Sequence, residues 1–239
     1  MKWSRHNYQP CLPLGADGTR ISGSAGHIAL SRKAAGEGIV LLKNEQAVLP
    51  LQKGRKVVLL GKASVEYIKG GGGSGDVGVA YVRNLFDSMA EKEAQGKVSV
   101  YQGLTDFYRE NVKAQHAAGM APGMTREPVL TEEQLKDAAA FSDTAVVSIC
   151  RFSGEGWDRH CEQEEDIHAM ETGPGERDMR KVGKEIFARG DFYLSVEGEQ
   201  LIAAAKSHFA KVIVVLNVGG MVDTGWIRND EGLGEGERL

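Results

Sequence analysis

Three short runs of apolar, mostly β-branched residues limit what this chain can fold into: KVVLLG at 56–61, TAVVSIC at 144–150 and VIVVLN at 212–217. An uninterrupted short apolar run is how a strand reads when both faces of its sheet are covered. Between the runs lie stretches whose apolar residues recur at helical spacing. Short buried strands alternating with helices of roughly 10–15 residues make βαβ units and a parallel sheet with helices on both faces. The expected fold class is therefore α/β.

The remaining elements follow from caps and spacing. Ser31 can open a helix running to about 43, with Ala35, Ile39 and Leu42 on one face. Val82, Leu85, Phe86 and Met89 mark a helix over 80–94, and Phe107, Tyr108 and Val112 suit another, with a short strand at 98–101 between them. Thr131 and Gln134 form a capping box for a helix that turns Leu135, Ala138 and Ala139 inward. Ser195 can cap a helix to about 209, with Leu201, Ile202, Ala205 and Phe209 on its apolar side. Residues 1–30 read as an irregular arm, 44–54 as a turn-rich link and 122–128 as a loop. Residues 160–189 form a polar insert, expected as a solvated loop. The domain is placed at 31–225. The tail, 226–239, has no apolar run, so the sheet is expected to lack its last strand.

Composition excludes several functions. The formal charge is 29 − 33 = −4, which leaves no footprint for nucleic acid or an anionic membrane. No apolar run approaches the length of a membrane span, and the polar start lacks a signal-peptide core, which fits a cytoplasmic setting. Cys11, Cys150 and Cys161 are odd in number and form no C-x-x-C pair, so neither a disulfide framework nor a zinc site is expected. No other metal and no cofactor is called for.

Two motifs carry chemistry. RFSGEGWDR (151–159) directly follows the second long apolar run. In open α/β sheets ligands bind where the carboxyl ends of strands meet their loops, so Glu155 there is a candidate acid/base group. The same spacing suits an exposed turn glutamate flanked by glycines. KGGGGSGDV (69–77) exposes backbone N–H groups and allows a ligand to approach closely. It contains G-x-G-x-x-G at Gly70, Gly72 and Gly75, yet lies nine residues beyond the strand, and Asp76 stands where a P-loop needs lysine. A structural hinge is the competing reading.

The segments AAGEGIVLLKNEQAVLPL (34–51), KVVLLGK (56–62), KGGGGSGDV, RFSGEGWDR, GDFYLS (190–195) and VIVVLNVGG (212–220), taken in this order, resemble the α/β-sandwich domain of glycoside hydrolase family 3, the β-glucosidase family. The resemblance implies a six-stranded, mostly parallel sheet and a retaining hydrolysis of O-glycosidic bonds in β-linked glucosides or oligosaccharides. It implies Glu155 as general acid/base. It places Lys69, Gly72, Gly73, Ser74, Gly75, Arg151 and Trp157 at the sugar, with Asp158 and Arg159 bracing the loop. The family's nucleophile is an aspartate on a separate (β/α)8 barrel, in a segment like SDW that is absent here. The start of the chain fits the permuted order in which the sandwich precedes the barrel. The chain is thus expected to be a fragment, inactive alone, whose partner is that barrel in cis or in trans. An uncovered docking face would favour homo-oligomers. The alternatives are a non-catalytic carbohydrate-binding or interaction module and a flavodoxin-like nucleotide-binding protein.

Overall fold

A computed structural model describes residues 23–44, 47–70, 79, 81–121, 123–152, 159, 161 and 179–228. Two compact units divide the chain, 1–42 and 43–239. The first contains helix α1 (Ala25–Gly38), whose Ser24 side chain accepts from His27 N–H at 3.3 Å. This helix begins six residues before the expected Ser31 and ends before Ile39 and Leu42, which lie outside it. Ser24 satisfies an orphan N–H of the first turn. Gly38 and the β-branched pair Ile39–Val40 favour leaving the helix, and Ile39 is extended (φ −73°, ψ 126°).

The second unit is built on β1 (Arg55–Leu60), β2 (Val98–Val100), β3 (Thr144–Arg151) and β4 (Lys211–Val218). All pairings are parallel, in the order β2-β1-β3-β4. Helices α2 (Leu85–Ala94), α3 (Thr105–Ala117), α4 (Glu132–Phe141), α5 (Met179–Ile186), α6 (Val196–His208) and α7 (Gly225–Arg228) complete it. Alternation along the strands sorts the core into two layers. Val58, Leu60, Ala145, Val147 and Ile149 pack on Tyr108 of α3, Ala138 of α4 and Leu201, Ile202 and Ala205 of α6. Val57, Leu59 and Val146 point the other way, onto Phe86 of α2. Every residue of β3 is buried, which accounts for its unbroken apolar sequence. The fold is the expected α/β class, with helices on both faces.

Four strands form among the described residues, where the resemblance implies six; β2 and β4 are the edges. Beyond β4 the chain turns through Gly219 and Gly220 and forms α7 where an irregular tail was expected. The capping boxes separate what spacing found from what it missed. Thr131 and Gln134 cap α4 as expected, and Ser195 caps α6. Asn84 and Asp87 form an unforeseen box that starts α2 at Leu85, leaving Val82 ahead of the helix. The insert is the larger correction, because α5 lies inside it. Val182, Ile186 and Phe187 are buried against Met120, Ala121 and Met124, and that apolar contact makes a helix of a stretch whose charge suggests a solvated loop.

Candidate active site

The strand order fixes where a ligand can enter. From β1 the chain winds outward to β2, then crosses back past β1 to β3 and β4. The winding reverses between β1 and β3, and open α/β sheets bind ligands outside the carboxyl ends of the strands at such a switch point.

At the end of β1, Gly61 has φ +94°, and a Cβ there would collide with the carbonyl oxygen of Ser148 on β3. Only glycine lets the chain turn so close to its neighbour strand. Gly61 N–H donates to the Tyr108 hydroxyl at 2.9 Å. Lys62 N–H donates to both carboxyl oxygens of Glu127, at 3.0 and 3.1 Å. The Lys62 ammonium donates to Thr125 Oγ1 at 2.6 Å and lies 3.5 Å from Glu66 Oε2. Glu66 in turn accepts from the Thr125 hydroxyl and faces His116 Nε2 at 2.7 Å. A tight turn after β1, Lys62–Ser64, is thus held by the strap of residues 116–127.

At the end of β3, Arg151 is 9% exposed. Its guanidinium donates to the carbonyls of Cys150 (3.0 Å) and Tyr193 (3.4 Å) and lies over the Phe187 ring. Arg159 donates to the Phe152 carbonyl at 2.8 Å and pairs with Asp191 at 3.5 Å. A cavity of about 30 Å³, room for a single water, is walled by Lys62, Thr125, Glu127, Cys150, Arg151 and Ser195, among others.

Burial shifts the proton affinities of these groups. Burial pushes the Glu127 carboxyl up to about 7, against the pull of the Lys62 ammonium and N–H and of Arg151, with Glu197 adding to the rise. Burial pulls Arg151 down to about 10. It lowers Arg159 as well, opposed by Asp191. Tyr108 is raised well above its usual range by burial and by Glu127. An acid poised near neutrality beside buried cations at the carboxyl end of the sheet is a candidate functional group.

The two sequence motifs leave the sheet at one place. Ile68 N–H is held by Asn217 Oδ1 of β4 at 2.9 Å, one residue before Lys69, which is exposed. A Cβ on Gly123 would meet Ile68 Cδ1 at 2.5 Å and Phe152 Cβ at 3.0 Å, so the strap is wedged between the root of the glycine-rich run and the root of the loop after β3. Gly72, Gly73, Ser74, Gly75, Glu155, Trp157 and Asp158 lie outside the described residues. Arg151, expected to face a sugar, has its guanidinium turned onto backbone carbonyls. Sequence reasoning missed Lys62, Glu66, Tyr108, Thr125 and Glu127. The one available signal was Lys62, a charge directly after a buried strand.

Over residues 39–233 the sequence matches the family model of the glycosyl hydrolase family 3 C-terminal domain. Beta-glucosidase A of Butyrivibrio fibrisolvens is 47% identical over 230 residues, 96% of this chain and 27% of that protein. A beta-glucosidase of Ruminococcus albus is 31% identical over 199 residues, 80% of this chain and 18% of that protein. The fold resembles beta-glucosidase 3B of Thermotoga neapolitana, solved in complex with glycerol, with a TM-score of 0.66 at 28% identity, covering 88% of this chain and 27% of that one. The chain therefore spans between 18% and 27% of the length of these relatives.

Proposed function

Because the chain belongs to glycoside hydrolase family 3, whose C-terminal domain it carries over residues 39–233, we propose that it supplies the acid/base half of a retaining, β-glucosidase-like enzyme. The observation that carries this reading is the meeting of Ile68 and Phe152 at Gly123. The glycine-rich run and the loop bearing Glu155 spring from adjacent roots over the crevice where an open α/β sheet binds its ligand.

Retaining hydrolysis needs two carboxyl groups about 5–5.5 Å apart across the scissile bond. In this reading Glu155 protonates the leaving glycosidic oxygen, then activates the water that completes the reaction. The nucleophile comes from a (β/α)8 barrel docked over the same edge. Lys69, Gly72, Gly73, Ser74 and Gly75 offer donors to sugar hydroxyls, and Trp157 covers the ring. Asp158 and Arg159 brace the loop, a role supported by the contacts of Arg159 with Phe152 and Asp191. The inward guanidinium of Arg151 supports a bracing role for it too. The substrate is a β-linked glucoside or oligosaccharide. Asp76 in the place where a phosphate-binding loop needs lysine weighs against the nucleotide-binding reading. The exposed apolar residues Val79, Tyr81 and Val82, just past the glycine-rich run, support docking of the barrel, or self-association where it is missing. No helix of the described residues is long and apolar enough to cross a membrane.

The test is complementation. The isolated chain should leave an aryl β-glucoside essentially intact, and adding a matching barrel domain should generate activity. In the assembled enzyme Glu155→Ala should slow hydrolysis by roughly 10²–10⁴-fold for poor leaving groups and far less for good ones. Hydrolysis by the chain alone at enzymatic rates would refute the two-part site. Equal losses for all leaving groups would remove Glu155 from the acid role.

A further inference from the structure

Glu66 gathers donors from several directions. Its Oε2 accepts from the Thr125 hydroxyl and faces the Lys62 ammonium at 3.5 Å. Its Oε1 accepts from Gly123 N–H at 3.4 Å and stands 2.7 Å from Nε2 of His116, in the last turn of α3. The other ring nitrogen of His116, Nδ1, lies 2.7 Å from the Met120 carbonyl oxygen.

These contacts restrict where protons can be. A carbonyl oxygen only accepts, so Nδ1 carries a hydrogen. A neutral ring protonated there presents a lone pair at Nε2, and an ionised carboxylate presents another at Oε1. Two lone pairs at 2.7 Å repel. The contact therefore requires one further proton, either as imidazolium against carboxylate or as a carboxylic acid donating to the neutral ring. We propose that Glu66 and His116 form the positioning clasp of the site, sharing one proton that holds the roots of the glycine-rich run and of the loop after β3 at a fixed spacing.

The mechanical path is short. Gly123 is tied to Glu66 by its N–H and wedged between Ile68 and Phe152. Loss of the shared proton sets Glu66 against the ring, loosens residues 116–125 and frees the wedge. Lys62 on the turn after β1 and Cys150 on β3 face Glu66, and Glu127 on the strap lies beside Lys62 with Arg151 of β3, Glu197 of α6 and Tyr108 of α3 around it. Lys62 balances one negative charge on Glu66, but it donates to Thr125 as well and cannot replace the proton between Oε1 and Nε2.

The clasp belongs to this chain alone; its consequence for catalysis rests on the function proposed above. Nitrogen-labelled His116 in the isolated chain should show a hydrogen-bonded proton at Nε2. As alkali removes it, amide exchange at Gly123 should rise roughly ten-fold beyond its intrinsic base catalysis, in one step, by local opening. His116→Gln keeps a donor toward Glu66 and should abolish the step. In the assembled enzyme the same step should appear as an alkaline limb in kcat with KM little changed, and His116→Gln should flatten it. An Nε2 without a hydrogen-bonded proton overturns the clasp whether or not any variant folds, and so does an unchanged step in His116→Gln. A chain with an intact clasp that no barrel activates refutes the glycosidase reading and leaves the clasp. An active enzyme whose pH profile ignores His116→Gln refutes the clasp's catalytic role.

Discussion

At the amino ends of β1, β3 and β4 the charged groups face water; at the carboxyl ends of the same strands they are buried. Arg55 meets Asp143 at 2.7 Å and the Thr144 hydroxyl at 2.8 Å, with Lys211 at 4.0 Å, and the Asp143 side chain is 52% exposed. A wide depression of about 400 Å³ opens there between Gln52, Lys53 and Phe141, larger than the cavity at the other end but shallow and open to solvent. At the carboxyl end, Lys62 and Glu66 are 8% and 10% exposed and Arg151 is equally buried. There Glu127 rises to about 7 and Arg151 falls to about 10, both toward their neutral forms. The folded state thus carries a desolvation cost at one end that it does not carry at the other. Size alone would favour the larger depression; the cost and the strand topology make the smaller one the candidate.

The largest expected effect separates the ends through glycine. Gly61 and Gly54 both have positive φ, +94° and +79°. Gly61→Ala drives a methyl into the Ser148 carbonyl and should cost about 4 kcal/mol or more, read as a drop in the urea midpoint. Gly54, before β1, has open space around it, so Gly54→Ala should cost only the left-handed backbone penalty of about 1–2 kcal/mol. Equal losses would mean that the approach of β1 to β3 at the crevice is looser than described.

The next effect is a pH dependence. Glu127 titrates near 7 when folded against a usual 4.5. The folded state holds the proton longer than the unfolded chain, so this group's stabilising contribution is complete below 4.5 and is lost as pH rises through 7. Because Glu127 is partly exposed, the loss should be at most about 3 kcal/mol. Denaturant unfolding of the parent should weaken over that window and level off above it. Glu127→Gln should remove this component and narrow the gap to the parent as pH rises. A parent stability flat from 4.5 to 7, or a variant that keeps the slope, would mean that Glu127 is better solvated than its contacts suggest.

These two residues also show what sequence could and could not reveal. The strands were legible because β3 is buried along its whole length, and the caps of α4 and α6 because a serine or threonine side chain reaches only three residues ahead. Helix α5 was hidden because its apolar contacts are to Met120 and Met124, far back in the chain, while its own stretch is crowded with charge. Glu127 was hidden for the same reason. It sits in a segment read as loop, and its role comes from a bond to Lys62, 65 residues away. No local periodicity reports such a contact. The glycine-rich run and the segment around Glu155 were legible as motifs, but the clasp at their roots consists of two isolated residues, Glu66 and His116.

The smallest expected effect comes from the exposed end and has the opposite sign. Burial pushes the Asp143 carboxyl up, yet the Thr144 hydroxyl, Arg55 and Lys211 together outweigh it and hold it below the usual carboxylate range. A depressed carboxyl stabilises the fold above its unfolded titration range and loses that contribution as pH falls through the folded value. Because the pair is solvated, the effect should stay below about 1 kcal/mol and shrink further in high salt. Asp143→Asn should therefore barely move the unfolding midpoint at neutral pH and slightly flatten the acid side of the profile, where Glu127→Gln flattens the neutral side. Were Asp143→Asn to cost as much as Gly61→Ala, the amino end would be carrying buried charge as well. The desolvation contrast that assigns the site to the carboxyl end would then fail.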